Sequence, residues 1–265
     1  MTELWKEAPV ISNLFRGGGV ALDGSDYMTA SSLTGQADSK LFTFSCWFYV
    51  DSSATGGAQG IFYSNDTTSG AGFIYLDTTD SRIYGRWRDA SGGHGLQFYC
   101  TDVLSDDEWH HLLFSVDMAD GPASRWVLDD TLLTNGSSSV VTPGFVAIQQ
   151  FVNVAMDFTP SDGWAIGATP TGGNTFDGNL AEVWAAPGQY IDVSSESNRR
   201  KFIDVNGRPV ILGNNGSKPT GTAPLAYTRI ARNDNASDFA TNRAGNGDFT
   251  ITGTLALSAG EVKLP

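Results

Sequence analysis

An all-β, antiparallel two-sheet sandwich is the fold class that the sequence predicts, and three observations predict it. Residues 41–50 alternate between apolar side chains and aromatic or hydroxyl side chains, which is typical of a strand with one face in a core. Similar short segments recur along the chain and are separated by turn residues, including many of the 31 glycines. Residues 193–204 form the one segment with good helical character, so helices contribute little to the predicted fold.

The central predicted strand, residues 41–50, has two different faces. One row is apolar throughout and consists of Phe42, Phe44, Cys46, Phe48 and Val50. The other row mixes aromatic and hydroxyl groups and consists of Leu41, Thr43, Ser45, Trp47 and Tyr49. The first row predicts burial between two sheets, and the second predicts a face that loops or a ligand partly cover.

Further strands follow from the same alternation. They are predicted at residues 20–28 around an Asp-Gly turn, 60–64, 72–77, 82–88, 96–100, 108–117, 125–128, 131–133, 164–167, 176–184, 209–212, 225–227 and 249–255. Leu180 and Val183 lie three residues apart, which breaks the two-residue period and predicts a bulge. Asp129 and Asp130 predict a tight turn with positive φ. Ser194 or Ser195 is expected to cap the helix.

Charge and composition exclude several classes of partner. The chain of 265 residues has a net charge of −13 and an isoelectric point near 4.4, so phosphate backbones repel it. No apolar run approaches the ~18 residues of a membrane helix, and residues 1–7 lack an apolar signal segment. We therefore expect no nucleic-acid or membrane partner and synthesis in the cytosol. Cys46 and Cys100 form no disulfide framework, and buried free thiols are favoured over a bond.

Four segments resemble one known family in their order along the chain. They are the strand and Asp-Gly turn at residues 20–27, the Phe-x-x-Ser-x-Trp strand at 42–50, the Trp-x-His strand at 109–117 and the closing strand at 166–183. Together they resemble a laminin-G-like jelly roll of the concanavalin A-like lectin/glucanase superfamily. The turn at Asp129 and Asp130 departs from the Asp-Gly that is common in this family.

The resemblance also implies a domain organisation. It predicts an N-terminal arm at residues 1–16, the jelly roll at 17–190, and a helix with a C-terminal β extension at 191–265 that packs on the same domain. Residues 198–250 resemble the C-terminal extension of phage-borne versions of this domain. The basic run at residues 198–201 is expected to be a solvated helix face, and the alternative is a contact with an acidic partner subunit.

The sequence argues against catalysis. Superfamily members that hydrolyse β-glucans carry Glu-x-Asp-x-Glu or a close variant on one strand, because hydrolysis needs two carboxylates at one bond. No Glu of this chain is followed by Asp two positions later, and the acidic residues 106–108 are typical of a solvated turn. His110 and His111 lie on opposite faces of a strand, so we expect one buried and one exposed ring and no shared metal. We therefore predict that the protein is not an enzyme.

Two kinds of binding site stay open. Lectin-like jelly rolls often hold calcium in oxygen-lined loops, and Asp23, Asp26 and Asp177 are the candidate ligands, with ordinary turn aspartates as the alternative. No other cofactor is required. Sugars stack on aromatic rings and bind polar side chains, whereas core packing explains most aromatic residues of a sandwich. The glycan-binding candidates are Trp47, Tyr49, Tyr75, Tyr84, Arg86, Trp87 and Arg88.

The function predicted first is a non-enzymatic bacteriophage virion protein, such as a capsid decoration, head-fibre or tail component. It would be made in the host cytoplasm, be located in the virion and contact other virion proteins. The alternative is a carbohydrate-binding lectin that attaches to host-surface glycans, and the remote alternative is a glycoside hydrolase. Assembly into a homo-oligomer stays open.

Overall fold

The computed structural model describes residues 18–54, 56–65, 70, 72–137 and 142–265, and these residues form the predicted sandwich of two sheets. The predicted N-terminal arm at residues 1–16 lies outside the described residues. None of the helices in the described ranges has the length and apolar character needed to cross a membrane.

Strands dominate the described part of the chain. In chain order they are β1 (Val20–Asp23), β2 (Tyr27–Ala30), β3 (Leu41–Val50), β4 (Ala58–Ser64), β5 (Gly72–Asp77), β6 (Arg82–Arg88), β7 (His94–Cys100), β8 (Glu108–Asp117), β9 (Arg125–Leu128), β10 (Thr131–Leu132), β11 (Thr134–Ser137), β12 (Phe145–Phe151), β13 (Trp164–Ile166), β14 (Asp177–Pro187), β15 (Ala226–Thr228), β16 (Thr250–Thr252) and β17 (Ala256–Leu257). Short 3₁₀ helices occur at Gly121–Ala123 and Ala236–Ala240, and α1 spans Glu196–Arg199.

The strands divide between two sheets. The first sheet has the order β10-β9-β8-β3-β14-β1-β17, with β15 beside β14, and the second has the order β11-β12-β7-β6-β5-β4-β13-β2-β16. All of these pairs are antiparallel except β11 with β12. The central strand β3 pairs along its whole length with β8, from Leu41 opposite Asp117 to Val50 opposite Glu108.

The core between the sheets is built on the apolar row of β3. All five predicted members of that row are buried, and so are the facing aromatic residues of the second sheet. Phe42 meets Trp87 edge-on with ring centroids 4.7 Å apart, and Phe44 lies 5.7 Å from Phe62. The prediction for this face of β3 is therefore confirmed.

The other face of the first sheet is covered by residues 188–265, which we call the extension. Trp184 of β14 packs edge-on against Phe202 at 5.4 Å, and its Nε1 donates to the carbonyl of Gly216 at 2.8 Å. A second apolar cluster under the extension joins Trp47, Trp109, Ala181, Ile203 and Val262. The second row of β3 is thus buried by the chain itself.

A buried polar network also fastens the extension. Glu182 lies in the predicted bulge of β14, where the pairing with β3 shifts, and its φ is 48°. Tyr227 donates its hydroxyl to Glu182 Oε2 at 2.7 Å, and Arg229 Nε lies 3.4 Å from Oε1. Burial raises the pKa of Glu182 to about 7, although Arg229 and the Tyr227 hydroxyl favour the ionised form.

Several local predictions are confirmed. Asp129 and Asp130 both have positive φ, at 50° and 61°, so the tight turn survives without glycine. Cys46 and Cys100 are buried free thiols, and burial raises the pKa of each.

The prediction for the histidine pair is half wrong, because both rings are buried. His110 faces the core side, and its Nδ1 lies 2.8 Å from Asp129 Oδ2. His111 lies on the opposite face under the extension, where it stacks on Trp47 at 4.6 Å and its Nε2 lies 2.9 Å from Ser45 Oγ. Burial lowers the pKa of His111 to about 4.

Predictions within the extension are the least accurate. The helix is one turn, far shorter than residues 193–204, and no side chain caps it. Residues 209–212 form no strand, and only Thr250–Thr252 of the predicted strand at 249–255 is a strand. The basic run is not a free surface, because Arg199 and Arg200 both contact Asp130, at 3.1 and 2.7 Å.

Replacing Trp184 with alanine should lower the free energy of unfolding by about 3–5 kcal/mol, because the change leaves a cavity under the extension and orphans the Gly216 carbonyl. Urea denaturation followed by circular dichroism measures this. Val205→Ala is the matched control in the same extension, since Val205 is 80% exposed, and should change stability by less than about 0.5 kcal/mol. Equal effects of the two variants would contradict the packing described above.

Glu182→Gln should become more stable relative to the wild type as the pH rises. The raised pKa means that the folded protein holds this proton more tightly than the unfolded chain, so the wild type loses stability between about pH 4.5 and pH 7. Glutamine has no such proton, and the difference in unfolding free energy should grow by on the order of 3 kcal/mol from about pH 4 to pH 8. A difference in unfolding free energy that does not change with pH would contradict the raised pKa of Glu182. Glu196→Gln, at an exposed carboxylate, is the control.

Candidate functional site

The outer face of the second sheet carries a row of aromatic side chains that we call the aromatic ladder. Burial alternates along β5 and β6, so every second residue points away from the core and is partly exposed. Antiparallel pairing then aligns these residues with outward residues of β4 and β7. The ladder consists of Tyr63, Phe73, Tyr75, Tyr84 and Tyr99.

The rings of the ladder are in contact from strand to strand. Tyr75 and Tyr84 stack with centroids 5.2 Å apart and planes 8° from parallel, and Tyr84 stacks on Tyr99 at 5.3 Å. Phe73 lies 5.5 Å from Tyr63 and 5.1 Å from Tyr75. Cross-strand aromatic pairs of this kind stabilise the sheet and hold each ring in place.

One end of the ladder is polar. The guanidinium of Arg86 lies over the ring of Phe73, 4.4 Å from its centroid, in a cation–π contact. Gln97, opposite Arg86 on β7, donates its amide to Gln149 Oε1 at 2.7 Å, and its own Oε1 lies 3.2 Å from His94 Nδ1. Arg88 follows on the same face and donates to the carbonyl of Gly92 at 2.8 Å.

The phenol groups of Tyr75 and Tyr84 keep their protons at neutral pH. Burial and the carboxylate of Asp77 raise the pKa of Tyr75 to about 12. Burial raises the pKa of Tyr84 further, and so does Asp80, whose Oδ2 accepts the Tyr84 hydroxyl at 2.7 Å. The face therefore offers apolar ring edges with the neutral hydroxyl groups of Tyr75 and Tyr84, bordered by amide and guanidinium donors. Such a surface suits a hydroxyl-rich ligand that has an apolar side.

The structure divides the predicted glycan-binding residues into two groups. Tyr75, Tyr84, Arg86 and Arg88 lie together on the ladder face. The remaining three do not: they are Trp47, Tyr49 and Trp87.

Burial shows that the predictions for Trp47 and Trp87 are wrong, whereas Tyr49 is partly exposed and stays a prediction away from the ladder. Trp87 is fully buried between the sheets, because it belongs to the inward row of β6. Trp47 is 1% exposed under the extension, and Tyr49 packs against Trp109 in the same cluster. No sugar can reach the rings of Trp47 and Trp87 in this fold.

Five ladder-face residues were missed at the sequence level: Tyr63, Phe73, Gln97, Tyr99 and Gln149. Phe73 could have been predicted from the sequence, because it lies two positions before Tyr75 on β5 and therefore on the same face of the strand. Gln97 and Tyr99 alternate with the buried Leu96 and Phe98, which is a readable signal. Gln149 was missed with its whole strand, because β12 carries a bulge between Ile148 and Gln150 that interrupts the alternation.

The calcium candidates lie near the β1–β2 turn and the start of β14. Asp23 lies opposite Asp177, but its Oδ1 accepts the Ser25 amide and hydroxyl at 3.0 and 2.7 Å. Asp26 is buried, and its Oδ1 accepts the Thr254 amide at 2.7 Å.

One of these candidates, Asp177, lies near other negatively charged carboxylates. Burial, followed by the carboxylates of Asp51 and Asp23, raises the pKa of Asp177. Within the described ranges, no group of three or more His, Cys, Asp or Glu side chains is arranged to hold a metal ion. A calcium site at this turn therefore stays a prediction.

The environment of Tyr75 can be measured directly. Ultraviolet absorbance at 295 nm follows phenolate formation, and the difference between the wild type and Tyr75→Phe isolates this ring. Because the pKa of Tyr75 is raised to about 12, the two titration curves should coincide up to about pH 11. A difference with its midpoint near pH 10 would mean that Tyr75 is not packed in the ladder.

Comparisons with known proteins agree with this fold. A family model described as the concanavalin A-like lectin/glucanases superfamily matches residues 22–187. No curated protein matches the sequence. Among solved structures, a Bacteroides ovatus protein to which carbohydrate binding is ascribed superposes with a TM-score of 0.57 at 10% identity, over 94% of this chain and 62% of that one.

Two further structures share the architecture. A heptameric SAP-like pentraxin from Limulus polyphemus superposes with a TM-score of 0.52 at 10% identity, over 94% of this chain and 98% of the pentraxin chain. Domains LG4-5 of the mouse laminin α1 chain have a TM-score of 0.45 at 13% identity, over 68% of this chain and 43% of that one. At such identities, the two structures with TM-scores above 0.5 establish the fold alone. Because the family model matches more than half of this chain, the chain belongs to the concanavalin A-like lectin/glucanase superfamily.

Proposed function

We propose that the protein binds carbohydrate on the aromatic ladder and does so without catalysis. The observation that carries this proposal is the continuous stack from Tyr75 through Tyr84 to Tyr99, with a polar border, on a partly exposed sheet face. Aromatic residues of a sandwich normally fill the core, and here Phe73, Tyr75 and Tyr84 are partly exposed on the outer face, beside the buried Tyr63 and Tyr99. The carbohydrate binding ascribed to the Bacteroides ovatus protein of the same fold is consistent with the proposal.

The shape of the face favours an extended sugar chain over a single small molecule. The rings of Tyr75, Tyr84 and Tyr99 stack on one another across neighbouring strands, which are about 4.8 Å apart, so the outward ring edges form an open ridge rather than a closed pocket. Successive sugar units can pack their apolar C–H groups along this ridge. Gln97, Gln149 and Arg86 can donate hydrogen bonds to sugar hydroxyl groups at its edge.

Support for binding without hydrolysis comes from the carboxylates nearest the ladder. Asp77 Oδ1 accepts the amide and hydroxyl of Thr79 at 2.9 and 2.6 Å. Asp80 accepts the Tyr84 hydroxyl and contacts Arg82 at 3.4 Å. Glycoside hydrolysis needs an acid and a second carboxylate on either side of one bond, and these two groups are engaged in other contacts.

We also propose that the protein is a bacteriophage virion component, with other virion proteins as partners. Two observations support this: residues 198–250 resemble phage-borne extensions of the domain, and the extension seals one face of the sandwich while the ladder face stays partly exposed. A displayed ladder would then serve attachment to surface glycans.

Tyr84→Ala should abolish or strongly weaken glycan binding, because Tyr84 is the central ring of the stack and the change removes the ring edge and hydroxyl group between Tyr75 and Tyr99. A glycan array followed by isothermal titration with the best ligand measures the loss, expected at about tenfold or more. Tyr190→Ala is the matched control, since this tyrosine lies on the extension, where its hydroxyl donates to Ala123. A flat array for the wild type would end the carbohydrate proposal.

Incubation of the protein with the bound polysaccharide should release no new reducing ends over a day at neutral pH. The engagement of Asp77 and Asp80 is the reason for this expectation. Reducing-sugar assay against a buffer blank checks it. Release that Asp80→Asn suppresses would establish hydrolysis instead.

The virion role predicts that the chain copurifies with intact particles. Mass spectrometry of gradient-purified phage from the source of the sequence should detect its peptides in fixed proportion to the major capsid protein. Absence of the chain from purified particles would contradict the virion role and would leave the carbohydrate proposal unaffected.

A further inference from the structure

The arginines of this acidic chain are mostly paired with carboxylates. Within the described residues, the contacts are Arg82 with Asp80, Arg199 and Arg200 with Asp130, Arg208 with Glu261, Arg229 with Glu182, and Arg243 with Asp234. With a net charge of −13, carboxylates are abundant, so pairing of this kind is expected. An arginine without such a partner is therefore informative.

Arg86, on the ladder face, is one of the described arginines without such a partner, together with Arg88, Arg125 and Arg232. It is partly buried, and its guanidinium makes no hydrogen bond or ion pair with any residue that the structure describes. Its Nε is shielded from solvent without a partner, while the guanidinium plane rests over Phe73. Burying a charge without a counter-charge costs free energy, and an anion supplied by a ligand would offset that cost.

The charges around Arg86 strengthen this point. Arg88, two residues along the same face, donates to a carbonyl and has no carboxylate partner among the described residues. Burial and the neighbouring charge of Arg88 lower the pKa of Arg86. Asp89 caps its own turn through Ser91 and Gly93, so it does not neutralise the pair.

Geometry links the arginines to the ladder. Tyr84 and Arg86 are alternate residues of β6, which places them about 6.6 Å apart on one face. A hexose that contacts the outward edge of Tyr84 can therefore reach Arg86 with a group attached to the sugar ring. The planar guanidinium presents paired donors that match a carboxylate, and Phe73 fixes its orientation in advance.

We infer that Arg86, assisted by Arg88, binds the carboxylate of an acidic sugar, and that the ligand class of the ladder is a carboxylated glycan. This inference rests on the proposed carbohydrate-binding function. It deepens that function by assigning the charged end of the ladder to uronate- or sialate-type sugars instead of neutral ones.

The test compares ligands that differ only in charge. Oligogalacturonate and its methyl ester, and oligosialate and its methyl ester, are titrated into the full chain by calorimetry at low and high salt. Wild-type protein should bind at least one acid about tenfold or more tightly than its ester, and the preference should shrink as salt rises. A sulfated galactan with its desulfated form is the third pair.

Three variants separate the contributions. Arg86→Gln should lower acid binding to about the level of the ester and so remove the preference, and Arg86→Lys should retain only part of the preference, because lysine lacks the planar fork. Tyr84→Ala should weaken acid and ester alike. Arg232→Gln, at an exposed arginine of the extension, is the charge-matched control and should behave as the wild type.

The outcomes keep the two proposals distinct. Equal binding of acid and ester, with loss of both in Tyr84→Ala, would overturn the acidic-sugar inference and uphold the ladder as a sugar site. A preference for the sulfated galactan with none for either carboxylate would also overturn it. No binding of any sugar would overturn both the inference and the proposed function.

Discussion

Burial of both faces of β3 is the constraint on which the rest of the structure depends. One face of this strand supplies Phe42, Phe44 and Phe48 to the space between the sheets. The opposite face carries Trp47, a ring too large and apolar to leave in water. A two-sheet sandwich can satisfy only one of these faces, so a third layer must cover the other. The extension provides that layer, so one side of the sandwich is covered and the other is not part of this contact.

The sealed side determines where function can be located. His111 and Glu182 lie beneath the extension and Tyr227 belongs to it, and all three are buried and contact neighbouring side chains there. Burial is the first cause of their shifted pKa values. On the second sheet, Tyr75, Tyr84 and Arg86 are partly exposed, whereas Tyr63 and Tyr99 are buried. We therefore propose the ladder face, opposite the layer that stabilises the fold, as the place where binding occurs.

Local patterning explains which features could be predicted from the sequence. The strict period of two in β3 and β8, the turn at Asp129 and the bulge at Glu182 are short-range signals, and the structure confirms them. The same period would have separated Tyr84 and Arg86 from Trp87, because neighbouring residues of a strand face opposite sides. The burial of Trp47 could not be predicted in this way. It depends on Ile203 and Val262, more than 150 residues away along the chain, and no local pattern indicates that contact.

Hydroxyl-radical footprinting tests the central claim most directly, since it reports the solvent access of individual side chains with and without bound polysaccharide. Our account predicts that ligand protects the peptides of β5 and β6 at Tyr75 and Tyr84, whereas Trp47 and Trp109 react slowly in both states because the extension covers them. Rapid oxidation of Trp47 in the free protein, or ligand protection confined to residues outside the ladder, would contradict it.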